Sequence, residues 1–268
     1  MNSHGYLVSA DETYTKREGL TIIDCRAKAE YLRGHISGAI NFDVFKHSWR
    51  DTSINGLREF TRRMESEVRH IGIRADRPVV AYDDISGSFA ARGAWNLLYL
   101  GHEEVMLLDG GLSSWTRSGF PTQKEPPEIV PSDFFARPRE EFIAGRDLIT
   151  AKSNDEKVRV IDTRSLKEYI GAKQRAQRTG KIPKAIHIDW QENLTSEGLF
   201  ESLETLKKLY DSCGVSQDKE VITYCQGGYR AAHTFLALKM LGYQVRNYIG
   251  SWAEWGNTSE LPVEGTQV

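Results

Sequence analysis

The stretch that decides the fold is VITYCQGGYRAAHTFLALKMLGY, residues 221–243. Its first four residues are apolar or β-branched and predict a buried strand, which runs directly into Cys225. A glycine-containing loop follows, and a helix is expected to begin at about Ala231. The apolar residues of that helix share one predicted face and are Ala231, Phe235, Leu238 and Leu241. Together with the other strand-like and helical segments, this order predicts an α/β domain with a mainly parallel sheet, whose ligands bind at the carboxyl ends of the strands.

The chain repeats itself in a fixed order, which predicts two copies of one fold. IIDCRAKAEYL (22–32) resembles VIDTRSLKEYIG (160–171), and HISGAINF (35–42) resembles KIPKAIHI (181–188). VVAYDD (79–84) then resembles VITYCQ (221–226), and YLGHEEVMLLDGGLSSW (99–115) resembles MLGYQVRNYIGSWAEW (240–255). Two copies are too few for a solenoid, so the sequence predicts two tandem α/β domains, each a mainly parallel sheet flanked by helices.

A proline-rich segment marks the predicted boundary between the copies. Five of the eight prolines lie in PTQKEPPEIVPSDFFARP, residues 121–138. Such a segment is stiff and extended, as linkers between domains often are. We therefore predict an N-terminal domain over residues 1–123, a linker over 124–145 and a C-terminal domain over 146–268.

Composition limits the partners that this chain is expected to have. The net charge is −2, from 35 basic and 37 acidic residues, which favours neither nucleic acid nor an anionic membrane. The N-terminus resembles no signal peptide and no apolar run is long enough to span a bilayer, so the cytoplasm is the expected location. The three cysteines do not form a disulfide framework or a zinc motif. With no ligand cluster and no phosphate-binding glycine motif, we expect neither a metal nor an organic cofactor.

The loop after the second-copy strand has the residues that an activated thiol needs. Backbone N–H groups at the start of a helix lack helical partners and can converge on an anion. Gly227 and Gly228 allow a positive φ and a close backbone approach. Arg230 adds a fixed cation and a planar fork of donors for an oxyanion. We expect this setting to favour the thiolate of Cys225, since comparable sites lower a cysteine pKa from ~8.5 to roughly 3.5–7.5.

These residues resemble a known family. CQGGYRAA after a strand, inside a duplicated unit that ends in GSWAEW, resembles a tandem-domain rhodanese, a thiosulfate sulfurtransferase. The resemblance implies two rhodanese-like domains, of which the C-terminal one is catalytic. It implies that Cys225 takes the outer sulfur of thiosulfate as a persulfide and passes it to cyanide or a thiol acceptor. The substrate-binding residues would be the rest of the loop, namely Gln226, Gly227, Gly228, Tyr229 and Arg230.

Comparison of the two copies predicts which residues do no chemistry. Asp83 aligns with Cys225, and a carboxylate cannot carry sulfur, so the first domain is expected to be non-catalytic. Residues found in both copies are expected to be structural, and these include Asp162, Arg164 and Tyr169. Phe89 lies in the first-copy loop, where the resemblance implies a cover over the thiol and a place in the local core is the alternative.

Several alternatives remain open at this stage. Cysteine phosphatases place five residues between cysteine and arginine, whereas only four lie between Cys225 and Arg230, which favours a smaller sulfur ligand. A cysteine protease or transferase would need a histidine base, for which His187 and His233 are candidates, although His233 is expected to face solvent. A non-catalytic binding module is a third possibility.

The sulfur donor also remains open. It could be 3-mercaptopyruvate instead of thiosulfate, because Gln226 and Gly227 occupy positions that are basic in the well-known animal thiosulfate enzymes. Three cations of the second-copy insertion could add to the pocket or could simply be solvated: Arg175, Arg178 and Lys181.

Overall fold

The computed structural model describes residues 5–152 and 154–265 and divides the chain into two compact units. Segments from distant parts of the sequence contribute to each unit. The first unit takes in the chain up to Ser48, Glu59–Arg139 and Leu194–Phe200, and the second takes in Trp49–Arg58, Glu140–Asn193 and the chain from Glu201 onwards. The domain boundaries drawn from the sequence remain a prediction.

The first unit is built on a parallel sheet. Its strands are β1 (Leu7–Val8), β2 (Thr21–Asp24), β3 (His35–Ile36), β4 (Ile40–Asn41), β5 (Val79–Tyr82), β6 (Val105–Leu108) and β7 (Thr122–Gln123). The five-stranded sheet has the order β1-β6-β5-β2-β4, and all of its neighbouring strands are parallel. Strands β3 and β7 form a separate antiparallel pair. The helices are α1 (Ala10–Lys16), α2 (Lys28–Tyr31), α3 (Ile54–His70), α4 (Ser88–Tyr99) and α5 (Gly111–Arg117).

The second unit repeats this plan. Its strands are β8 (Ile143–Ala144), β9 (Val158–Asp162), β10 (Ile186–His187), β11 (Glu220–Tyr224) and β12 (Gln244–Tyr248). They form a five-stranded parallel sheet in the order β10-β9-β11-β12-β8. Its helices are α6 (Arg146–Lys152), α7 (Leu166–Tyr169), α8 (Leu203–Ser212), α9 (Tyr229–Met240) and α10 (Ser251–Trp255).

The two sheets have the same topology, so the predicted duplication and the α/β class are confirmed. Read from its β8 edge, the second sheet has the order β8-β12-β11-β9-β10, in which each strand is the repeat partner of its counterpart in the first sheet. The antiparallel pairing of β3 with β7 is echoed in the second unit by a single bridge between Lys181 and Glu264. In both units the central strand, β5 or β11, leads into a loop. The first residue of that loop is Asp83 in the first unit and the aligned Cys225 in the second.

The central strand is buried as predicted, and the helix after it is buried more completely than the sequence suggested. Every residue of β5 is buried, as are the last four residues of β11. One apolar face was predicted for the helix after β11, but α9 is buried from Ala231 through Leu238, including the polar residues His233 and Thr234. Small and apolar side chains on nearly every side allow it to sit inside the unit rather than on its surface.

A buried cluster of three polar side chains recurs in both units. In the second unit Arg164 donates from Nε and Nη2 to the carboxylate of Asp162, and the Tyr224 hydroxyl donates to Asp162 Oδ2 at 2.6 Å. In the first unit Arg26, Asp24 and Tyr82 form the same cluster, with a Tyr82–Asp24 distance of 2.7 Å. The shared cluster supports the structural role that repetition predicted.

No helix in the described part of the chain combines the length and the apolar character that a bilayer crossing would need.

We predict that Tyr224→Phe destabilises the protein by about 1–3 kcal/mol, the cost of removing hydrogen-bond partners from buried polar groups. The hydroxyl of Tyr224 donates to Asp162 and accepts the N–H of Ile182 at 3.2 Å, so both groups lose a partner together. Urea denaturation of both proteins provides the measurement. Tyr14→Phe is the control, because the Tyr14 ring stacks on Phe120 and phenylalanine keeps that contact. Equal midpoints for Tyr224→Phe and the parent protein would contradict the structural role of the cluster.

Candidate active site

The thiol of Cys225 lies at the carboxyl end of the central strand of the second unit. Strand β11 ends at Tyr224, and α9 begins at Tyr229, two residues earlier than expected. Gly228 caps the helix with φ +82°, a left-handed conformation that favours glycine. Its N–H donates to Cys225 Sγ at 3.1 Å. The thiol is buried in this loop, since Cys225 is only 1% exposed.

Opposing effects act on the ionisation of this thiol. Burial alone would raise the pKa of Cys225, because it disfavours the charged form. The positive charge of Arg230 and the N–H groups of Ala231, Gly227 and Gly228 act against burial. The net result is a pKa of Cys225 below its ordinary value, so the loop favours the thiolate that sulfur chemistry needs.

The GSWAEW segment anchors the loop from behind. The Cys225 N–H donates to Ser251 Oγ at 3.1 Å, and the N–H of Trp252 donates to the Cys225 carbonyl at 3.0 Å. Ser251 has φ +51°, an unusual value for a residue with a side chain. The equivalent Gly111 of the first unit has φ +54°. The sequence comparison quoted this segment as a shared end of the repeat but did not identify Ser251 as a support of the cysteine loop.

In the first unit the equivalent loop encloses a carboxylate. Asp83 accepts N–H groups from four residues at 3.0–3.2 Å: Ile85, Gly87, Phe89 and Ala90. Burial raises the pKa of Asp83 to about 6, and these N–H groups act in the opposite direction. A strand end, a loop and a helix start therefore surround an acidic side chain in both units, but the first-unit loop is longer and Gly87 before α4 is extended with φ −97°.

Arg230 extends from the first turn of α9 to a buried acid. Its Nη1 donates to Glu168 Oε2 at 2.8 Å, and its Nη2 donates to Glu168 Oε1 at 3.0 Å. Glu168 also accepts from Ser165 and lies 3.3 Å from Arg175 Nε. The sequence showed that Glu168 repeats Glu30 but gave no sign of its partner, because the two residues are 62 positions apart.

The remaining predicted loop residues follow Cys225 in the chain. Gly227, Tyr229 and Gln226 are half-buried. The Gln226 side-chain amide donates to the Arg175 carbonyl at 3.1 Å, which joins the cysteine loop to the second-copy insertion. Their assignment as substrate-binding residues remains a prediction.

The three cations of the insertion have different surroundings. The Arg178 guanidinium donates to backbone carbonyls that include those of Trp255 and Leu261, both at 2.7 Å. Lys181 donates to the Tyr169 hydroxyl at 2.7 Å and pairs with Glu264 at 2.9 Å. Arg175 pairs with Glu168, and nearly half of its side chain is exposed. Of these three, Arg175 is the one that pairs with the acid that also binds Arg230.

Both candidate histidines make contacts within the second unit. His187 Nε2 lies 2.7 Å from the Arg164 carbonyl. His233 is 0% exposed, so the expectation that it faces solvent is wrong. Its ring packs edge-on against Trp190 and lies within hydrogen-bond distance of Asn193. Helix α9 is buried on nearly every side, so His233 lies inside the unit and makes these contacts there.

Phe89, of the first-unit loop, has an aromatic neighbour. Phe89 packs against Phe45 with ring centroids 4.5 Å apart, and its role as a cover for the thiol remains a prediction.

Cys25 is fully buried, and burial together with nearby Asp24 and Asp83 raises the pKa of Cys25 well above its ordinary value. Across residues 5–152 and 154–265, no group of three or more His, Cys, Asp or Glu side chains is placed to hold a metal ion.

Comparison with known proteins identifies relatives of the whole chain. Residues 9–118 and 146–258 each match the rhodanese-like domain. The chain is 32% identical over 246 residues to the thiosulfate sulfurtransferase of Pseudomonas aeruginosa, with 91% of each chain covered. It is 35% identical over 249 residues to the sulfur carrier protein TtuD of Thermus thermophilus, with 87% of this chain and 86% of that protein covered.

A solved structure provides a further comparison of the fold. The anaerobic ergothioneine biosynthesis enzyme from Chlorobium limicola superimposes with a TM-score of 0.88 at 23% identity. The alignment covers 100% of this chain and 72% of that enzyme. At this level of identity the likeness supports the α/β fold alone.

We predict that alkylation of Cys225 by iodoacetamide follows a titration whose midpoint lies below that of free cysteine, because Arg230 and the loop N–H groups favour the thiolate. Peptide mapping across a pH series gives the rate for each cysteine. Cys25 is the internal control, since its raised pKa should confine its reaction to alkaline solution. A midpoint for Cys225 at or above that of free cysteine would contradict this account of the loop.

Proposed function

Because the chain belongs to the rhodanese family of sulfurtransferases, we propose that it moves sulfane sulfur from thiosulfate to cyanide or a thiol acceptor through a persulfide on Cys225. The observation that carries this proposal is the thiol itself. It directly follows the central strand, accepts the N–H of Gly228 and has a lowered pKa despite its burial.

The first half of the proposed reaction transfers sulfur to the enzyme. The Cys225 thiolate attacks the outer sulfur of thiosulfate and forms a new S–S bond. The bond between that sulfur and the sulfonate sulfur breaks, and its electron pair leaves with sulfite. Sulfur has then moved from donor to cysteine without any external oxidant or reductant.

The second half returns the enzyme to its starting state. Cyanide or a thiolate attacks the outer sulfur of the persulfide, and Cys225 leaves as a thiolate. The Gly228 N–H and the positive charge of Arg230 favour that thiolate, so the features that prepare the nucleophile also stabilise the leaving group. With cyanide the product is thiocyanate, and with a thiol it is a new persulfide.

The donor and the acceptor are proposed from the relatives and from the residues of the cysteine loop. The name of the Pseudomonas relative supports thiosulfate. The loop residues Gln226, Gly227, Gly228, Tyr229 and Arg230 form or adjoin the thiol site, so we propose them as the residues that meet the donor. The name of the Thermus relative, a sulfur carrier protein, favours a thiol on another protein as one class of acceptor. Mercaptopyruvate as the donor is the alternative that a direct comparison of the two substrates would test.

A division of labour between the units is part of the proposal. Asp83 occupies the position of Cys225 in the first unit, and a carboxylate cannot accept sulfane sulfur. Phe89 is the second residue of α4, as Arg230 is the second residue of α9, so the first unit also has an aromatic ring in place of the cation. We propose that the first unit takes no part in the chemistry.

We expect thiosulfate to add one sulfur atom to Cys225 and cyanide to remove it. Intact-protein and peptide mass spectrometry before and after each reagent provide the measurement. Cys225→Ser should neither gain the sulfur nor turn over thiosulfate, while Cys213→Ser should do both, since Cys213 follows the end of α8. Wild-type turnover in Cys225→Ser would rule out the proposed persulfide. Hydrolysis of a phosphate ester in place of sulfur transfer would favour the phosphatase alternative.

The division of labour predicts that a second active site cannot be made by installing a thiol alone. A variant combining Asp83→Cys with Cys225→Ser should show only background turnover of thiosulfate, because the first-unit loop carries Phe89 where the second unit has Arg230. Steady-state assays against Cys225→Ser alone provide the comparison. Turnover well above that control would mean that the loop N–H groups suffice without the arginine.

A further inference from the structure

Glu168 is a buried acid at the candidate site, and the proposed reaction gives it no role. It is 2% exposed and lies on the short helix α7, beside the cysteine loop. Its carboxylate accepts hydrogen bonds from both terminal nitrogens of Arg230, at 2.8 and 3.0 Å. Burial opposes its ionisation, but the hydrogen bonds from Arg230 and Ser165 lower the pKa of Glu168 to about 2. The acid is therefore ionised whenever the thiol is expected to act.

Part of this arrangement has a local explanation. Glu168 is the third residue of α7 and forms a capping box with Ser165, in which its carboxylate accepts the Ser165 N–H at 3.2 Å. A capping box stabilises a helix start and needs no arginine. The two-point pairing with Arg230 is a separate feature, because Arg230 comes from another helix, 62 positions away.

The first unit provides a comparison within the same chain. Glu30 is the repeat counterpart of Glu168, but it lies on a half-exposed part of α2. The first-unit residue equivalent to Arg230 is Phe89, which cannot pair with an acid. The acid is thus present in both copies, whereas the acid–arginine pair is found in the copy that has the thiol.

A two-point contact fixes an arginine more firmly than a single ion pair does. The planar guanidinium matches the two oxygens of a carboxylate, so both its position and its plane are set. Arg230 is the charged side chain that lowers the pKa of Cys225. Any displacement of its guanidinium would therefore be felt at the sulfur.

We propose that Glu168 is a positioning residue, which holds the Arg230 guanidinium beside the Cys225 loop and so keeps the thiol in its reactive form. The inference rests on the proposed function, since it assigns Glu168 a part in sulfur transfer. Glu168 acts through Arg230 and does not itself carry sulfur. Arg175, which pairs with the same carboxylate, is held at the edge of the site by the same contact.

Glu168 has two effects on the thiol, and they have opposite signs. As a negative charge it disfavours the thiolate, so its removal alone would lower the pKa of Cys225. As the support of Arg230 it favours the thiolate, so its removal would raise that pKa. Other charged or titratable groups near the pair are Arg175, Arg164, Asp189, His187 and Asp162, and all of them remain in the variants described below. The direction of the change therefore separates positioning from simple charge.

The test is the pH profile of Cys225 alkylation by iodoacetamide, a neutral reagent that needs no sulfur donor. In Glu168→Gln the profile should move to higher pH, and the rate constant below pH 7 should fall about tenfold, as for a pKa rise of one unit. Arg230→Ala should move the profile in the same direction. In the double variant the profile should lie at or below that of Arg230→Ala, because Glu168 has nothing left to position and only its opposing charge effect is removed.

Two further variants make the result specific. Glu30→Gln changes the matched acid of the first unit and should leave the profile unchanged. Glu168→Asp keeps the charge but is shorter by one methylene, so it should also move the profile upward if position matters. It decides the question if Glu168→Gln does not fold, with circular dichroism as the check on folding.

Three outcomes would overturn the inference. They are a downward shift or an unchanged profile in Glu168→Gln, a wild-type profile in Glu168→Asp, and additive effects in the double variant. Failure of the proposed function would look different. Wild-type protein would then gain no sulfur from thiosulfate, while the alkylation profiles would still report whether Glu168 positions Arg230.

Discussion

The loop between a parallel strand and the helix after it imposes one constraint on both units: its N–H groups have no helical partner and need an acceptor. In each unit the first residue after the central strand supplies that acceptor from its own side chain. Asp83 accepts four N–H groups in the first unit, and Cys225 accepts the Gly228 N–H in the second. An anionic side chain at this position accepts N–H groups of the loop. Whether it can also take part in sulfur transfer depends on whether it is a carboxylate or a thiolate.

The contrast between the two anions follows from burial. Both side chains are almost completely buried, and burial raises the pKa of an acid. For Asp83 burial outweighs the N–H groups, and the pKa of Asp83 rises to about 6. For Cys225 the charge of Arg230 joins the N–H groups, and the pKa falls below its ordinary value. The charge of Arg230 is therefore one feature that distinguishes the second unit, beside its shorter loop and the left-handed conformation of Gly228.

Much of the fold could be predicted from the sequence because the chain contains its own comparison. The ordered matches predicted the duplication, and the strand–loop–helix segment predicted the place of Cys225. Contacts between residues distant in sequence could not be predicted. The pairing of Arg230 with Glu168 depends on how α7 and α9 pack together, and the burial of His233 depends on what surrounds α9. Ser251 lay within a quoted motif, but its bond to the Cys225 N–H follows from a backbone turn that the residue type does not reveal.

The charges around the thiol also bear on how an anionic donor can be bound. Both terminal nitrogens of the Arg230 guanidinium donate a hydrogen bond to Glu168. The negative charge of that acid therefore offsets part of the attraction between Arg230 and a dianionic donor. Arg175 shares the same carboxylate through Nε, yet nearly half of its side chain is exposed. An arginine held at one nitrogen and open to solvent can turn its remaining donors towards a ligand more easily than one held at two. The arrangement thus leaves Arg175 more freedom of movement than Arg230, which is held by Glu168 while its charge favours the thiolate.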